Sequence, residues 1–238
     1  MSKLKLPILP IPNVVFFPHA SLPLLIEEPS YVQMIRDCES AREEHGPNAG
    51  LLGISLAQPL QVVNFNSRRP RIEYRPSLIC GIGIPMIIDE LPGGGIKVLV
   101  KGTNRAKLGS LVQNLPFPIF NATILKPSQE SSGFTGNEIE NIFSVLDIWV
   151  KKNVTDSIER EAFMASLEGP EHIVDYVSML LIADKDIRQV LLETELLIER
   201  IHLLNSLLRN KRPLGEDPTV VRAIKRFEII EKNKAIGQ

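Results

Sequence analysis

Only two cysteines, Cys38 and Cys80, occur in the 238 residues of this chain. Two thiols cannot build a disulfide framework, and without CxxC spacing they make neither a zinc knuckle nor a redox pair. Both read as reduced thiols in or near a core, which points to a cytoplasmic protein. Aromatic residues are scarce at 5%, too few for a surface that stacks bases. An excess of one charge is also missing: 27 basic residues face 28 acidic ones, a net charge of −1. That balance excludes a general nucleic-acid coat and a polybasic membrane binder, though not a local basic patch. No apolar run reaches the roughly 18 residues that a membrane-spanning helix needs. The four histidines, His19, His45, His172 and His202, have no second His or Cys three or four residues away, so no local metal site is expected.

What the chain does have is apolar sequence broken by proline. Hydrophobic residues make up 44%, and 18 prolines sit beside them rather than in polar tracts; this is a folded composition and not a disordered one. The start, two lysines followed by apolar residues, imitates a signal peptide, but Pro7, Pro10 and Pro12 forbid the helix such a segment forms. Strand-length apolar runs bounded by turn residues lie at 6–11, 22–26, 51–56, 78–88, 96–100 and 120–125. Leu91-Pro-Gly-Gly-Gly95 is a hairpin signal, since glycine supplies positive φ at no steric cost. One helix interrupts the strands: Pro29 suits its first turn, Tyr31, Val32, Ile35 and Cys38 recur at helical spacing, and Gly46-Pro47 stops it. About six strands and one helix, without alternation, predict a small closed or half-closed barrel.

Residues 127–137 are polar and rich in Ser and Gly, a linker signal. Beyond them the hydrophobic period changes to 3.6. Thr135-x-x-Glu138 reads as a capping box with Asn137 a competing cap, and Ile139, Ile142, Phe143, Leu146, Trp149 and Val150 share one face. Further helices are expected at 157–167 and 171–182. A fourth and longest is expected from a cap at Asp184 or Asp186 to about Lys211. Its stripe, Ile187, Leu191, Thr194, Ile198, Ile201, Asn205 and Leu208, admits packing within the chain or against a second copy as a homodimer. The division predicted is therefore α+β: a β domain over 1–127, a helical bundle over 135–212 and a partly ordered tail over 213–238.

Chemistry-bearing motifs are absent. Gly93-Gly-Gly95 lacks the Lys-Ser/Thr and helix of a phosphate loop. Gly81-Ile-Gly-Ile-Pro85 is not a dinucleotide fingerprint, and there is no nucleophile elbow. No cofactor, metal or catalytic residue is expected. One basic cluster stands out, Arg68, Arg69 and Arg71 with Arg75 nearby. Placed in a loop, it offers an anion site for RNA or a small ligand, although nucleic acid is a poor partner for a chain with so few aromatics.

The opening Leu6-Pro-Ile-Leu-Pro-Ile-Pro-Asn-Val-Val-Phe-Phe-Pro18, followed by Leu22-Pro-Leu-Leu-Ile26, resembles the start of the N-terminal substrate-binding domain of Lon proteases. Leu91 to Leu108, a Leu-Pro-Gly-Gly turn, a Lys-Val-Leu-Val strand and Gly-x-x-Arg-Ala, resembles a second block of that family. More loosely, 166–177 and 182–192 resemble its helical portion. The resemblance implies a PUA-like six-stranded pseudo-barrel followed by a four-helix bundle. It also implies a stand-alone, non-enzymatic module that recognises unfolded or exposed apolar segments of other proteins beside a protease partner. Apolar candidates for that surface are Met86, Ile87, Ile88, Leu91 and Pro92 around the glycine hairpin, and Phe16 and Phe17 near the N-terminus.

Overall fold

The computed structural model describes residues 4–46, 49–62, 71–126 and 136–209. The expected linker, the Thr135 cap, the tail and Arg68 and Arg69 lie outside the described residues, as do the side chains of 60–62 and 71–73. Seven strands form one mixed sheet: β1 (Leu4–Ile11), β2 (Ser21–Ile26), β3 (Leu52–Val62), β4 (Arg71–Pro76), β5 (Ile79–Glu90), β6 (Ile96–Gln113) and β7 (Ile119–Leu125). The helices are α1 (Pro29–His45), α2 (Gly136–Asn153), α3 (Ser157–Ala165), α4 (Pro170–Leu180), α5 (Lys185–Glu193) and α6 (Leu197–Arg209). Among the described residues none of these helices is long and apolar enough to cross a membrane.

The sheet runs β1-β7-β6-β5-β3-β4, with β2 joined to β6. It is strongly curled, because β1 pairs antiparallel with β7 through residues 4–7 and parallel with β3 through residues 8–11. Changing partner midway leaves each half of β1 with one open edge. That is how a strand holding Pro7 and Pro10, which donate no N–H, stays in the sheet. The expected six-stranded pseudo-barrel is thus corrected to a seven-stranded curled sheet. The arginine-rich stretch expected as a loop is corrected too: from Arg71 onward it is β4, which pairs with β3 from Ala57↔Pro76 to Val62↔Arg71. Strand β6 runs on to Gln113, far beyond the apolar stretch at its start, by exchanging β2 for β7 as its neighbour.

Local signals are met where they are strongest. Leu91 donates its N–H to the Gly95 carbonyl at 2.8 Å, and Gly93 and Gly94 carry φ of 101° and 87°. Helix α1 starts at Pro29 and buries Val32, Met34, Ile35 and Cys38. Its polar face is used as well. Glu39 accepts from the Ile87 N–H and Arg42 donates to the Pro85 carbonyl, both at 2.8 Å, so α1 side chains occupy the open edge of β5. Asp184, not Asp186, caps α5 by accepting from the Asp186 and Ile187 N–H groups.

The long terminal helix and the four-helix bundle are corrections. Among the described residues the second half has five helices, and the stripe expected to be continuous breaks at Thr194, whose backbone is extended. Arg105 of β6 provides the reason. Its guanidinium donates to the carbonyls of Leu192, Thr194 and Glu195 at 2.8, 2.7 and 3.3 Å, taking the acceptors that a continuing helix would use. The stripe finds its burial within the chain: Leu191 and Ile201 are in the main core, with Ile187 and Leu208 packed on it.

That core is continuous from the sheet to the helices and joins Phe16, Phe17, Leu52, Ile54, Val98 and Val100 to Ile142, Leu146, Val174, Val177, Leu191 and Leu204. A smaller cluster, Leu6, Ile8, Cys80, Ile82, Ala106, Leu108 and Ala122, fills the inside of the curl. Polar contacts pin the same junction. Arg200 donates to Asp175 at 2.6 Å, and His19 Nδ1 lies 3.0 Å from the other oxygen of that carboxylate. The His19 ring stacks on His172 at 4.0 Å between centroids. Arg188 donates to the Asn13 carbonyl and Gln189 to the Ile79 carbonyl. Burial, and then repulsion from Arg200, lower the Arg105 pKa from its ordinary value.

Candidate functional site

The structure separates the residues singled out in the sequence. Phe16 and Phe17 are fully buried in the core, so they are removed from the candidate binding surface: their rings hold the sheet to the helices. Met86, Ile87 and Leu91 are half-buried, Ile87 against the core, while Ile88 and Pro92 are exposed. The hairpin therefore offers two apolar side chains to solvent, not a continuous patch. Of the arginines, Arg71 lies on β4 and Arg75 is near its end. The Arg75 guanidinium makes no ion pair or hydrogen bond among the described residues.

A different place gathers apolar surface. Beyond Ile8, whose N–H still reaches the Pro118 carbonyl at 2.9 Å, β1 no longer has the β7 side of the sheet beside it. The chain approaches β7 through Leu115-Pro-Phe-Pro118, and neither Pro116 nor Pro118 can donate to a ladder, so β7 begins only at Ile119. The gap left between β1, the β3–β4 hairpin and the β6–β7 connection is a groove of about 620 Å³, a size that suits a bound molecule. Ile8, Pro10 and Pro12 line it from β1 and the turn after it. Ala57, Tyr74, Arg75 and Pro76 come from β3 and β4, and Tyr31 from α1. Leu111 comes from the far end of β6, Asn114, Leu115, Pro116 and Pro118 from the connection after it, and Phe120 from the start of β7. Tyr74, Leu111 and Leu115 are 56%, 50% and 79% exposed, high values for large apolar side chains.

The groove is nearly uncharged, Arg75 being the one ionic side chain among its described lining residues. Five of those residues are prolines, at 10, 12, 76, 116 and 118, which strips backbone donors from the lining. Burial, and then the charge of Glu28, push the Tyr31 phenol up from its ordinary pKa, so it keeps its proton and its ability to donate. No group of three or more His, Cys, Asp or Glu that could hold a metal occurs among the described residues. Cys38 and Cys80 are free and buried, and burial pushes both thiols up to about 12, far from the range of a nucleophile.

Sequence reasoning misses this groove because 101–119 carries no strong periodicity and the leucine-proline opening reads as strand alone. The available signal is the second leucine-proline run, Leu115-Pro-Phe-Pro118, which repeats the composition of the first.

Comparison with known proteins agrees with the architecture. The family described as the ATP-dependent protease La (LON) substrate-binding domain matches residues 5–210. Lon protease 1 of Myxococcus xanthus is 24% identical over 208 residues, covering 87% of this chain, and the Lon protease of Koribacter versatilis is 27% identical over 250 residues, covering 97%. The chain spans 24% and 28% of those two proteins. Among solved structures, the N-terminal domain of the Mycobacterium avium complex Lon protease superposes with a TM-score of 0.60 at 16% identity, over 88% of this chain and 100% of that one. A Lon N-terminal domain protein from Xanthomonas campestris gives 0.56 at 15% identity, over 85% and 98%. At such identities the superpositions bear on the fold alone, and with the match over 5–210 they lead to one assignment: this chain belongs to the Lon substrate-binding domain family.

Proposed function

We propose that this chain is a non-catalytic recognition module that binds unfolded or exposed apolar segments of protein substrates, and that the groove beside β1 is where it holds them. The observation that carries this reading is the exposure of Tyr74, Leu111 and Leu115 around one concave, nearly uncharged surface. Leaving apolar side chains in water is unfavourable by roughly 25 cal/mol per Å², so a surface of this kind gains by being covered. A lining that makes few hydrogen-bond demands suits ligands of varied sequence. Membership in a substrate-binding family supports the same role. The module supplies recognition, and hydrolysis of the captured chain falls to a Lon-type protease.

The test is a titration of the fluorescently labelled protein with a permanently unfolded polypeptide at two salt concentrations, with single-stranded RNA in a parallel arm. Micromolar binding to the polypeptide that changes little with salt is expected, weakened at least tenfold by Leu115→Asp. Because Leu115 is largely exposed, that variant keeps the thermal stability of the parent. Binding to RNA alone, falling steeply with salt, would refute this reading in favour of the arginines of β4. Silence toward the polypeptide, or full affinity in Leu115→Asp, would also refute it.

A further inference from the structure

We infer that the groove prefers an extended apolar segment carrying an internal acidic side chain, with Arg75 as the residue that selects it; the inference rests on the groove being the binding site proposed above. Two features of the lining lead to it. The first is charge: the Arg75 guanidinium makes no ion pair or hydrogen bond among the described residues, and has no acidic side chain beside it in the lining. A carboxylate entering with an apolar segment meets a guanidinium that no described side chain engages. The complementary ligand is therefore apolar and acidic, and a basic segment is disfavoured.

The second feature is the asymmetry of donors. With five prolines in the lining, the backbone has few N–H groups to give, and donation comes from side chains: Tyr31, Tyr74, Asn114 and Arg75. Capture of a chain terminus uses a nest of converging backbone N–H groups, which a proline-rich lining does not supply. The carboxylate is accordingly that of an internal Glu or Asp and not the C-terminus of the ligand. Strand addition also needs alternating backbone donors and acceptors. A groove short of donors does without it, so a proline inside the ligand is tolerated.

The experiment uses the full chain and short labelled peptides of leucine, alanine and proline, acetylated and amidated. One has a central glutamate, one a glutamine and one a lysine; a further glutamine peptide has a free C-terminal carboxylate. The glutamate peptide is expected to bind about two- to fivefold tighter than its glutamine twin, the range of an exposed ion pair. The advantage narrows at high salt, disappears in Arg75→Gln and passes to the lysine peptide in Arg75→Glu. The Arg75 side chain has no partner to lose among the described residues, so thermal unfolding of both variants stays at the parent value. Equal binding of the glutamate and glutamine peptides would overturn the inference and leave the groove reading intact. So would a glutamate preference that survives Arg75→Gln, or a preference for the free C-terminus. Failure of all peptides to bind, together with the unfolded polypeptide, would overturn both.

Discussion

Removing the Asp175 carboxylate should do more damage than any other single truncation of a polar side chain at the junction of sheet and helices. Asp175 is 1% exposed and Arg200 4% exposed, and their 2.6 Å contact is joined by His19 at 3.0 Å. In Asp175→Ala, Arg200 stays buried with its charge uncompensated, and the second buried guanidinium, Arg105, already feels its repulsion. Breaking a buried pair from one side costs about 3–5 kcal/mol. The roughly 200 residues from β1 to α6 carry an unfolding entropy of about 2.1 cal/mol/K each, or roughly 0.4 kcal/mol/K in all. The midpoint of thermal unfolding should therefore fall by about 7–12 °C. Arg200→Met is the milder lesion, because Asp175 retains His19. In Asp175→Ala/Arg200→Met no charge is stranded, so the double variant should be more stable than the sum of the single losses implies, with a coupling of about 1–3 kcal/mol. Calorimetry or urea unfolding of the four proteins measures this directly. A loss below about 1 kcal/mol in Asp175→Ala, or strict additivity, would refute the reasoning and reduce the contact to surface electrostatics.

Four smaller perturbations test other parts of the fold. A Cβ at Gly81 would sit 2.1 Å from the Phe16 carbonyl oxygen and 2.7 Å from its carbon; Gly81→Ala should lose about 3 kcal/mol or more in urea unfolding. Gly93→Ala, with open space around it but φ of 101°, should lose only about 1–2 kcal/mol. The Cys38 and Cys80 thiols, pushed up to about 12 by burial above all, should resist a thiol-reactive dye in the native protein at pH 8 and react on denaturation. Because the folded state holds those protons where the unfolded chain releases them, stability should decline as pH rises above about 8.5. Asp184→Ala removes the acceptor for two N–H groups of α5 and should lower stability by about 1 kcal/mol in the same unfolding assay.

How far the fold can be read from the sequence depends on the range of the forces that decide each element. The hairpin at Leu91–Gly95, the start of α1 at Pro29 and the cap at Asp184 are set within a few residues, and each is legible. Strand β6 extends past its apolar start although Lys101–Gln113 mixes charged, small and polar residues without a clear period, because its strand state comes from pairing with β5 and then β7. Strand β4 is hidden by its arginines, since the alternation Arg71-Ile-Glu-Tyr-Arg75 is overshadowed by charge. The break between α5 and α6 cannot be seen at all. Locally the stripe is continuous, and the guanidinium that ends it belongs to Arg105, 87 positions from Leu192. The groove is illegible for a related reason: its lining comes from separated stretches, and what defines it is the absence of ladder donors at prolines far apart in the chain.

The change of partner within β1 also orders events in time. This first strand finds its neighbours in β3 and β7, with Leu6 opposite Phe120. Until residues near 120 have been synthesised, the N-terminal strand has nothing to pair with along its first half, and Leu6 and Ile8 lack the cluster that buries them. Joining ends so far apart carries a loop-closure cost before any contact repays it. Until β7 has been made the first half of β1 thus stays apolar and unpaired, and the prolines at 7 and 10 withhold donors through which such a strand would attach to a neighbouring chain. Pro10, which lines the groove in the finished protein, also guards the unfinished one against aggregation.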